Sequence, residues 1–393
     1  MKEINSHLLY IGADDAELDL FESQYPLPEG MAYNSYLIRA DKIAVMDTVD
    51  ARKGEEWKAK LNEALGGRKP DYLVVHHLEP DHSALIAELA GKYKEMKIVA
   101  SAKAISMLPQ FFDEETFEGR TIAVKDGDSI DLGGLRLQFF LAPMVHWPEV
   151  AISYLVEDKI IFSADAFGTF GTLESSGFYG DEVPDWEKEA RRYYFNICGK
   201  YGAQVQTMLK KCCALDVGMI CPLHGPILRK KISKYRDFYN TWSLYEAESQ
   251  GVLVAYASIH GGTKAVAEHF AEILKSKGVS EVSLYDLARG SQSEAVSEAF
   301  RHEKLVLAAA SYDSGLFPPA FEFIHHLQDK AWQKRRVGLI ENGSWAPSAG
   351  RVMREMFAGM KGIDIAEPLV TIRSRMKASD LPALEALADS IQQ

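Results

Sequence analysis

Several sequence features that would assign the chain to common protein classes are missing from its 393 residues. There is no run of about 18 apolar residues, the minimum for a membrane-spanning helix. The N-terminus Met1-Lys2-Glu3-Ile4 lacks the apolar stretch of a signal peptide. The net charge of −12 at pH 7 argues against non-specific binding to nucleic acid or to anionic membranes. We therefore expect a cytoplasmic protein that binds neither nucleic acid nor membrane.

Cysteine is also scarce. The four cysteines are Cys198, Cys212, Cys213 and Cys221, and none of them forms a Cys-x-x-Cys pair. This spacing excludes a rubredoxin or zinc-ribbon module within the sequence. Free thiols in a reducing compartment are the expected state.

Composition and periodicity indicate two domains. With 47% hydrophobic residues, the chain is long enough to form two cores. Residues 1 to about 250 carry short apolar runs bounded by turn residues, such as Leu73–Val75 and Ile160–Ser163. The segment Leu228–Gly251 has the apolar spacing of an amphipathic helix, which Gly251 would end. The predicted domains are therefore 1–250 and 251–393.

Strands and helices alternate strictly after Gly251. Strands are predicted at Val252–Ala257, Glu281–Tyr285, Lys304–Ala310, Arg336–Ile340 and Pro368–Ile372. Alternation over about 140 residues predicts a doubly wound parallel sheet of five strands. Ligands of such sheets bind at the carboxyl ends of the strands.

A cluster of side chains able to bind metal follows the apolar run Tyr72–Val75. Imidazole and carboxylate groups at alternate positions of an extended segment point to one side. His77, Glu79 and Asp81 would therefore converge, and His82 would join them at the following turn. A single metal rarely uses four such ligands, whereas two metals would, together with ligands from later loops.

Three further candidate ligands each come directly after an apolar run: His146, Asp165 and His224. A lone histidine or aspartate at a strand end is more often a satisfied turn residue than a ligand. The joint pattern nevertheless predicts a dinuclear metal site. Strand alternation points His76 away from the cluster, so this residue is left out.

This order of ligands resembles the metallo-β-lactamase fold, in which His-x-His-x-Asp-His is followed by His, Asp and His. Glu79 stands where the zinc hydrolases of that fold carry a second histidine, and this exchange resembles the flavodiiron proteins, also called A-type flavoproteins. The resemblance implies an N-terminal αββα sandwich with two non-haem iron ions. The implied ligand sets are His77, Glu79 and His146 for one iron, and Asp81, His82 and His224 for the other, with Asp165 bridging.

Aromatic residues near the predicted ligands are candidates for the substrate pocket. Trp147, next to His146, and Tyr25 are the two considered as pocket walls, although plain packing is the commoner role of such residues. Tyr193 and Tyr194 are further candidates for placing a hydroxyl near the metals.

Three loops at the carboxyl ends of predicted strands resemble those of a flavodoxin and imply FMN. The first loop, residues 258–263, lacks both the Gly-x-Gly-x-x-Gly and the Walker patterns, which counts against a dinucleotide or a nucleoside triphosphate. Its small residues could cradle a phosphate at a helix N-terminus. Tyr312 and Trp345 could flank an isoalloxazine ring. The predicted FMN-binding residues are Ser258, Ile259, His260, Gly261, Gly262, Thr263, Ser311, Tyr312, Asp313, Ser314, Gly315, Asn342, Gly343, Ser344, Trp345 and Ala346.

The resemblance implies an oxidoreductase that takes electrons through FMN and reduces dioxygen to water, nitric oxide to nitrous oxide, or both. It also implies a head-to-tail homodimer, which could pair into a dimer of dimers, and an external electron donor, of which rubredoxin is the family's usual one. The basic stretch Lys330–Arg336 is either its docking site or an ordinary charged surface. The alternative is a zinc-dependent hydrolase fused to a flavodoxin electron carrier.

Overall fold

A computed structural model describes the backbone of residues 1–393 and all side chains except those of residues 114 and 115. The chain forms two compact units, Met1–Asn240 and Thr241–Gln393. The division falls within the helix Ile232–Ser243, upstream of the expected boundary at Gly251. The predicted ranges 1–250 and 251–393 stay predictions.

The helix predicted across Leu228–Gly251 is shorter than expected. Leu228–Arg229 forms a strand, the helix covers only Ile232–Ser243, and Gly251 lies inside the strand Ser249–Ala257. A Cβ atom on Gly251 would lie 2.7 Å from the backbone oxygen of Glu281. Glycine is therefore needed at this position for the close approach of a neighbouring segment, and not as a helix end.

The first unit contains two large sheets. The strands of the first, in spatial order, are Lys2–Glu3, Leu8–Tyr10, Tyr36–Arg39, Ile43–Met46, Tyr72–Val75, Lys97–Ser101 and Thr121–Val124. Those of the second are Ser129–Asp131, Arg136–Leu141, Ala151–Leu155, Ile160–Phe162, Met219–Cys221 and Leu228–Arg229. Two small sheets pair Ala13–Asp15 with Met31–Tyr33, and Leu20–Phe21 with Tyr25–Pro26.

The two large sheets share one hydrophobic core. Val74 and Val99 from the first sheet and Phe139 and Phe162 from the second belong to the same buried cluster. Alternate residues of a strand point to opposite faces, so this cluster is what two sheets packed face to face require. A turn at Gly133–Gly134 joins the antiparallel strands Ser129–Asp131 and Arg136–Leu141.

Helices complete the first unit. Gly54–Leu65 shows how the sequence specifies them, because Trp57, Leu61, Ala64 and Leu65 recur at helical spacing and are buried, and Gly66 then ends the helix in the left-handed region at φ 55°. The other α-helices are Pro80–Ser83, Ile86–Lys92, Ala102–Met107, Leu173–Ser176, Trp186–Ile197, Gly202–Cys213 and Ile232–Ser243. Short 3-10 helices lie at Ala51–Lys53, Leu108–Gln110, Glu114–Phe117, Gly180–Glu182 and Gly199–Tyr201.

The second unit is a doubly wound parallel sheet, as predicted. The strands in spatial order are Val282–Asp286, Ser249–Ala257, His302–Tyr312, Arg335–Asn342 and Ile363–Ile365. Val370–Ile372 also pairs in parallel with Arg335–Asn342, so two short strands share the fifth position. Pro368, predicted as the start of the fifth strand, stays outside it because proline has no N–H to donate.

The helices of the second unit are Gly262–Ser276, Gln292–Arg301, Pro318–Asp329, Ala349–Ala358 and Leu381–Ile391, with the 3-10 helix Ala378–Asp380 and the short strand Gly315–Leu316. Among the residues described, no helix is both long enough and apolar enough to cross a membrane.

Candidate metal centre and cofactor cavity

The segment that holds the first candidate ligands changes conformation halfway. After the strand Tyr72–Val75, Glu79 is the N-cap of the short helix Pro80–Ser83, which has proline in its first turn. Asp81 therefore lies in a helical turn, and the extended alternation predicted for it is wrong. Proline favours the first turn of a helix because its missing N–H would have no intrahelical partner there.

His76 points away from the cluster, as predicted. Its Nδ1 lies 2.5 Å from Asp47 Oδ2 and its Nε2 lies 2.7 Å from Ser153 Oγ. All three side chains are buried. This arrangement anchors the end of the strand that carries the neighbouring His77.

The predicted ligands form two groups, each with ligand atoms within 4.8 Å of one another. The first group is His77, Glu79, His146 and Asp165. The Nε2 atoms of His77 and His146 lie 3.2 Å and 3.1 Å from Glu79 Oε2. For metal–nitrogen bonds of about 2.1 Å, neighbouring ligand atoms are roughly 3.0–3.4 Å apart, so this group has the spacing of a coordination shell.

The second group is Asp81, His82 and His224. The Nε2 atoms of the two histidines are 3.0 Å apart, and they lie 3.3 Å and 3.2 Å from Asp81 Oδ2. Two imidazole nitrogens and a carboxylate oxygen that converge in this way leave a position for a cation between them.

Asp165 lies between the two groups. Its Oδ2 is 3.4 Å from His77 Nε2 and 3.1 Å from His146 Nε2. Its Oδ1 is 3.2 Å from His82 Nε2 and 3.8 Å from His224 Nε2. One carboxylate therefore presents one oxygen to each group, which is what a ligand shared by two metal ions must do.

Several buried polar atoms in this cluster have no hydrogen-bond partner within the described part of the chain. They are both carboxylate oxygens of Asp81, Oδ1 of Asp165 and Nδ1 of His82. A buried carboxylate oxygen without a partner costs free energy. Bound cations would stabilise the oxygens, so the residues present fit a pair of metal ions.

The electrostatics of the cluster keep its carboxylates ionised. Burial by itself would raise the pKa of Asp165, but His77, His146 and His82 outweigh it and hold that pKa well below its usual range. Burial would likewise lower the pKa of His146, yet contacts with Asp165 and Glu79 raise it to about 9. Ionised carboxylates beside imidazoles are the ligands that a divalent cation needs.

Two hydrogen-bond partners outside the cluster, the Glu149 carboxylate and the backbone oxygen of Ala32, orient its imidazoles. Glu149 Oε1 lies 2.7 Å from His77 Nδ1 and accepts a hydrogen bond from Leu78 N–H at 2.9 Å. His224 Nδ1 lies 2.8 Å from Ala32 O. Such partners fix which ring nitrogen faces the metal. The role of Glu149 was not predicted from the sequence, because no local pattern connects this residue to His77.

Aromatic rings surround the histidines. Trp147, predicted as a pocket wall, packs its ring edge-on at 5.1 Å from His77. Phe21 and Tyr193 lie 5.4 Å and 5.6 Å from His224. Tyr25, the other predicted pocket residue, donates its hydroxyl to Asn196 O. Phe21 was not predicted, since nothing in its local sequence marks it.

The hydroxyl of Tyr193 is buried and has no hydrogen-bond partner among the residues described. Burial, and then the charge of Asp165, raise its pKa well above the usual value. The hydroxyl therefore keeps its proton beside the cluster and is available as a hydrogen-bond donor.

A cavity of about 900 Å³ lies at the carboxyl ends of the strands of the second unit, within the usual size range of cofactor sites. Among the predicted residues, those lining it are Ser258, Ile259, His260, Gly262, Thr263, Ser311, Tyr312, Asp313, Ser314, Asn342, Gly343, Ser344, Trp345 and Ala346. Gly261 and Gly315 do not line it. Ala310, Ser374 and Arg375 also line the cavity and were not predicted.

The floor of this cavity includes the first turn of the helix Gly262–Ser276. Its free backbone N–H groups suit a phosphate. Gly261 caps the helix in the left-handed region at φ 86°, a conformation that glycine adopts without strain. The cavity thus combines a phosphate cradle with the aromatic side chains of Tyr312 and Trp345, and its residues fit FMN.

A substitution at Gly262 tests the assignment of the cavity as the FMN site. A Cβ atom there would lie 2.4 Å from Ser374 O, so Gly262→Ala must displace the loop that closes the cavity. Overpacking costs about 1–3 kcal/mol, and we expect the Kd for FMN to rise roughly 5- to 150-fold in a fluorescence titration. Gly359→Ala is the matched control, because a Cβ atom there meets nothing within 4 Å. Equal affinities in both variants would contradict this assignment.

Comparisons with known proteins agree with this geometry. Residues 31–225 match the family described as ODP family beta lactamase. The chain is 27% identical over 349 residues to the anaerobic nitric oxide reductase flavorubredoxin of Vibrio vulnificus, which corresponds to 87% of this chain and 70% of that protein.

Two solved structures share the fold over nearly the whole length. The rubredoxin oxygen:oxidoreductase of Desulfovibrio gigas has a TM-score of 0.92 at 24% identity, covering 100% of this chain and 97% of that one. The flavodiiron protein of Giardia intestinalis has a TM-score of 0.91 at 22% identity, covering 99% and 95%. The predicted fold class, a metallo-β-lactamase-like sandwich followed by a flavodoxin-like sheet, is confirmed, and over nearly its whole length the chain is similar in fold to flavodiiron proteins.

Proposed function

We propose that this protein is an oxidoreductase that takes electrons through FMN and reduces dioxygen to water, nitric oxide to nitrous oxide, or both at a non-haem di-iron site. The observation that carries the proposal is the pair of ligand groups joined by Asp165. The names of the relatives support it, since one is an anaerobic nitric oxide reductase flavorubredoxin and another a rubredoxin oxygen:oxidoreductase.

The donor set favours iron over zinc. Each ligand group combines imidazole nitrogens with carboxylate oxygens, and Glu79 belongs to the first group. Mixed histidine and carboxylate shells with open positions are typical of non-haem iron sites that react with oxygen. Structural zinc sites use fewer and softer ligands. The zinc hydrolase alternative would need a histidine at position 79, and no observation favours it.

When bound, the iron pair supplies open coordination positions and electrons to a diatomic molecule, while FMN supplies electrons one at a time. The side chains of the protein supply the apolar space and the hydrogen-bond donor next to the metal ligands. The rings of Trp147, Phe21 and Tyr193 make the space beside the histidines apolar, which suits a small uncharged gas and keeps water away. Tyr193 holds a proton at its hydroxyl and can donate a hydrogen bond to a substrate oxygen.

The assembly and the location of the protein belong to the same proposal. We propose a head-to-tail homodimer, or a dimer of such dimers, in which the flavin of one protomer passes electrons to the irons of its partner. Support comes from the rim of the cofactor cavity, where Trp345 is 89% exposed and Tyr312 is 46% exposed, because exposed aromatic side chains often mark protein contacts. The free cysteines fit the proposed cytoplasmic location.

The function is tested by loading the purified protein with iron and FMN and reducing it anaerobically through a rubredoxin chain. Uptake of dioxygen and of nitric oxide is then followed on electrodes in matched runs. Faster dioxygen uptake would identify an oxygen reductase, and faster nitric oxide uptake a nitric oxide reductase. If neither gas were consumed by the iron-loaded protein, the proposal would fall, and zinc-dependent hydrolysis would be tested instead.

A further inference from the structure

The loop that carries Asp165 has an unusual backbone. It follows the strand Ile160–Phe162, and two of its residues, Ala164 and Phe167, have φ angles of 51° and 69°. Residues with a Cβ atom rarely adopt this left-handed region, because the Cβ atom crowds a backbone carbonyl oxygen. Such residues persist only where surrounding contacts hold them, and they cluster at functional sites. The segment 163–168, which we call the Asp165 loop, therefore needs support from its neighbours.

The position of the Asp165 carboxylate depends on this backbone. Glu149 orients His77 from outside the cluster. The backbone oxygen of Ala32 does the same for His224. Among the residues described, Asp165 has no such partner, because its carboxylate pairs only with histidines of the cluster. Those imidazoles are themselves candidate ligands and give no independent support. The direction of the two carboxylate oxygens therefore follows the conformation of the Asp165 loop.

Tyr239 supports the Asp165 loop from the helix Ile232–Ser243. Its hydroxyl oxygen accepts a hydrogen bond from the backbone N–H of Phe167. The two rings stack with their centroids 4.1 Å apart and an interplanar angle of 26°. Both residues are buried. One left-handed residue of the loop is thus held by a polar and an apolar contact with a side chain 72 positions away in the chain.

The Phe167 N–H depends on this hydroxyl. The next amide, Gly168 N–H, donates to Asp165 O at 3.1 Å and so stays within the loop. Within the described part of the chain, the Phe167 N–H has no acceptor other than the Tyr239 hydroxyl. A buried donor that loses its acceptor destabilises the conformation that buries it. Without the hydroxyl, the loop could satisfy this donor only by changing its conformation, and the Asp165 carboxylate would move with it.

We propose that Tyr239 is a positioning residue for the metal pair, because its hydroxyl holds the Asp165 loop in the conformation in which one carboxylate oxygen faces each ligand group. The inference rests on the proposed function, since it presumes that the two groups hold iron. It goes beyond that function by assigning a role to a side chain that acts through Phe167 and does not line the cofactor cavity.

The test compares Tyr239→Phe with the wild type in the full-length protein loaded with FMN and iron. Phenylalanine keeps the stacked ring and removes only the hydroxyl. We expect the iron affinity, measured anaerobically by competition with a chelator, to fall about tenfold, at the lower end of the roughly 10- to 100-fold effect of groups that orient metal ligands.

A spectroscopic signature separates positioning from general stability. The EPR signal of the one-electron-reduced iron pair depends on the ligand that bridges the two ions, so we expect Tyr239→Phe to change this signal. A merely structural residue would lower the unfolding temperature and leave the signal as in the wild type. FMN content should be equal in both proteins, because neither Tyr239 nor Asp165 lines the cofactor cavity.

Tyr235→Phe is the matched control. Tyr235 lies one turn earlier in the same helix, is 2% exposed, and packs its ring edge-on at 4.7 Å from Trp186. The variant loses the same hydroxyl from a buried ring of the same helix. Its iron affinity and EPR signal should therefore equal those of the wild type.

A double variant tests the backbone argument. Glycine adopts the left-handed region without strain, so Ala164→Gly makes the φ angle of 51° easier to hold. The Asp165 loop then needs less support from Tyr239. We therefore expect Tyr239→Phe/Ala164→Gly to recover part of the iron affinity that Tyr239→Phe loses.

Several results would overturn the proposal. They are wild-type iron affinity and EPR signal in Tyr239→Phe, an equal loss in Tyr235→Phe, a loss of FMN from Tyr239→Phe, or no recovery in the double variant. Failure of the proposed function would look different, since the iron-loaded wild type would then consume neither dioxygen nor nitric oxide, whatever the iron affinities of the variants.

Discussion

Asp165→Ala is expected to remove most of the iron from the protein and to lower gas uptake more than about 100-fold, while FMN remains bound. The reason is that Asp165 presents one carboxylate oxygen to each ligand group, so a single substitution weakens both metal positions. Residues that merely orient metal ligands already contribute about 10- to 100-fold, and a shared ligand should exceed that. Metal analysis, flavin absorbance and gas electrodes measure the three quantities on one preparation.

Asp126→Ala is the control for this experiment. Asp126 belongs to the same unit but is exposed and pairs with Lys211 at the surface. The iron content and turnover of the Asp126→Ala protein should therefore equal those of the wild type. The flavin is the second internal control, because Asp165 does not line the cofactor cavity. Loss of FMN with unchanged gas uptake in Asp165→Ala would refute the assignment of both sites.

Glu149→Leu is expected to decrease the iron affinity about 10- to 100-fold. Glu149 is buried, its Oε1 lies 2.7 Å from His77 Nδ1, and it accepts a hydrogen bond from Leu78 N–H. Leucine cannot accept either hydrogen bond, so the imidazole loses the partner that turns its Nε2 toward Glu79 and Asp165. Competition with a chelator measures the iron affinity.

The conservative variant Glu149→Gln separates orientation from folding. Glutamine has a similar shape and retains one oxygen acceptor, so it should recover part of the lost affinity and give an iron absorption spectrum shifted from that of the wild type. Glu88→Leu, at a position that pairs with Lys58 near the surface, is the matched control and should bind iron normally. Wild-type affinity and spectrum in Glu149→Leu would show that Glu149 does not position His77.

The local sequence around the metal ligands carried much of the prediction. Ligating residues placed directly after apolar runs were expected to gather at strand ends, and all seven do gather in two groups. The substitution of Glu79 for a histidine pointed to the flavodiiron proteins, to which the chain is similar in fold. Strand ends and their adjacent loops can be predicted from the sequence because they are determined mainly by residues close together in the chain.

Contacts between distant parts of the chain could not be predicted from the sequence. Glu149 reaches His77 across 72 positions, and Ser374 closes a cavity whose first loop begins at Ser258. Neither residue has a local pattern that marks it. The helical turn at Asp81 was missed as well, because a four-residue helix is too short to produce a periodic signal.

Local order in the chain was therefore sufficient for the doubly wound sheet of the second unit, for the residues that gather in the two ligand groups and for most residues that line the cavity. The sandwich of the first unit came from the resemblance to a known family. Folding decided which oxygen of Asp165 faces which histidines, which carboxylate orients His77, and which later loop reaches the cofactor cavity. The physical reason is that hydrophobic periodicity depends on neighbours along the chain, whereas hydrogen bonds and ion pairs depend on distances that arise only when remote segments pack together.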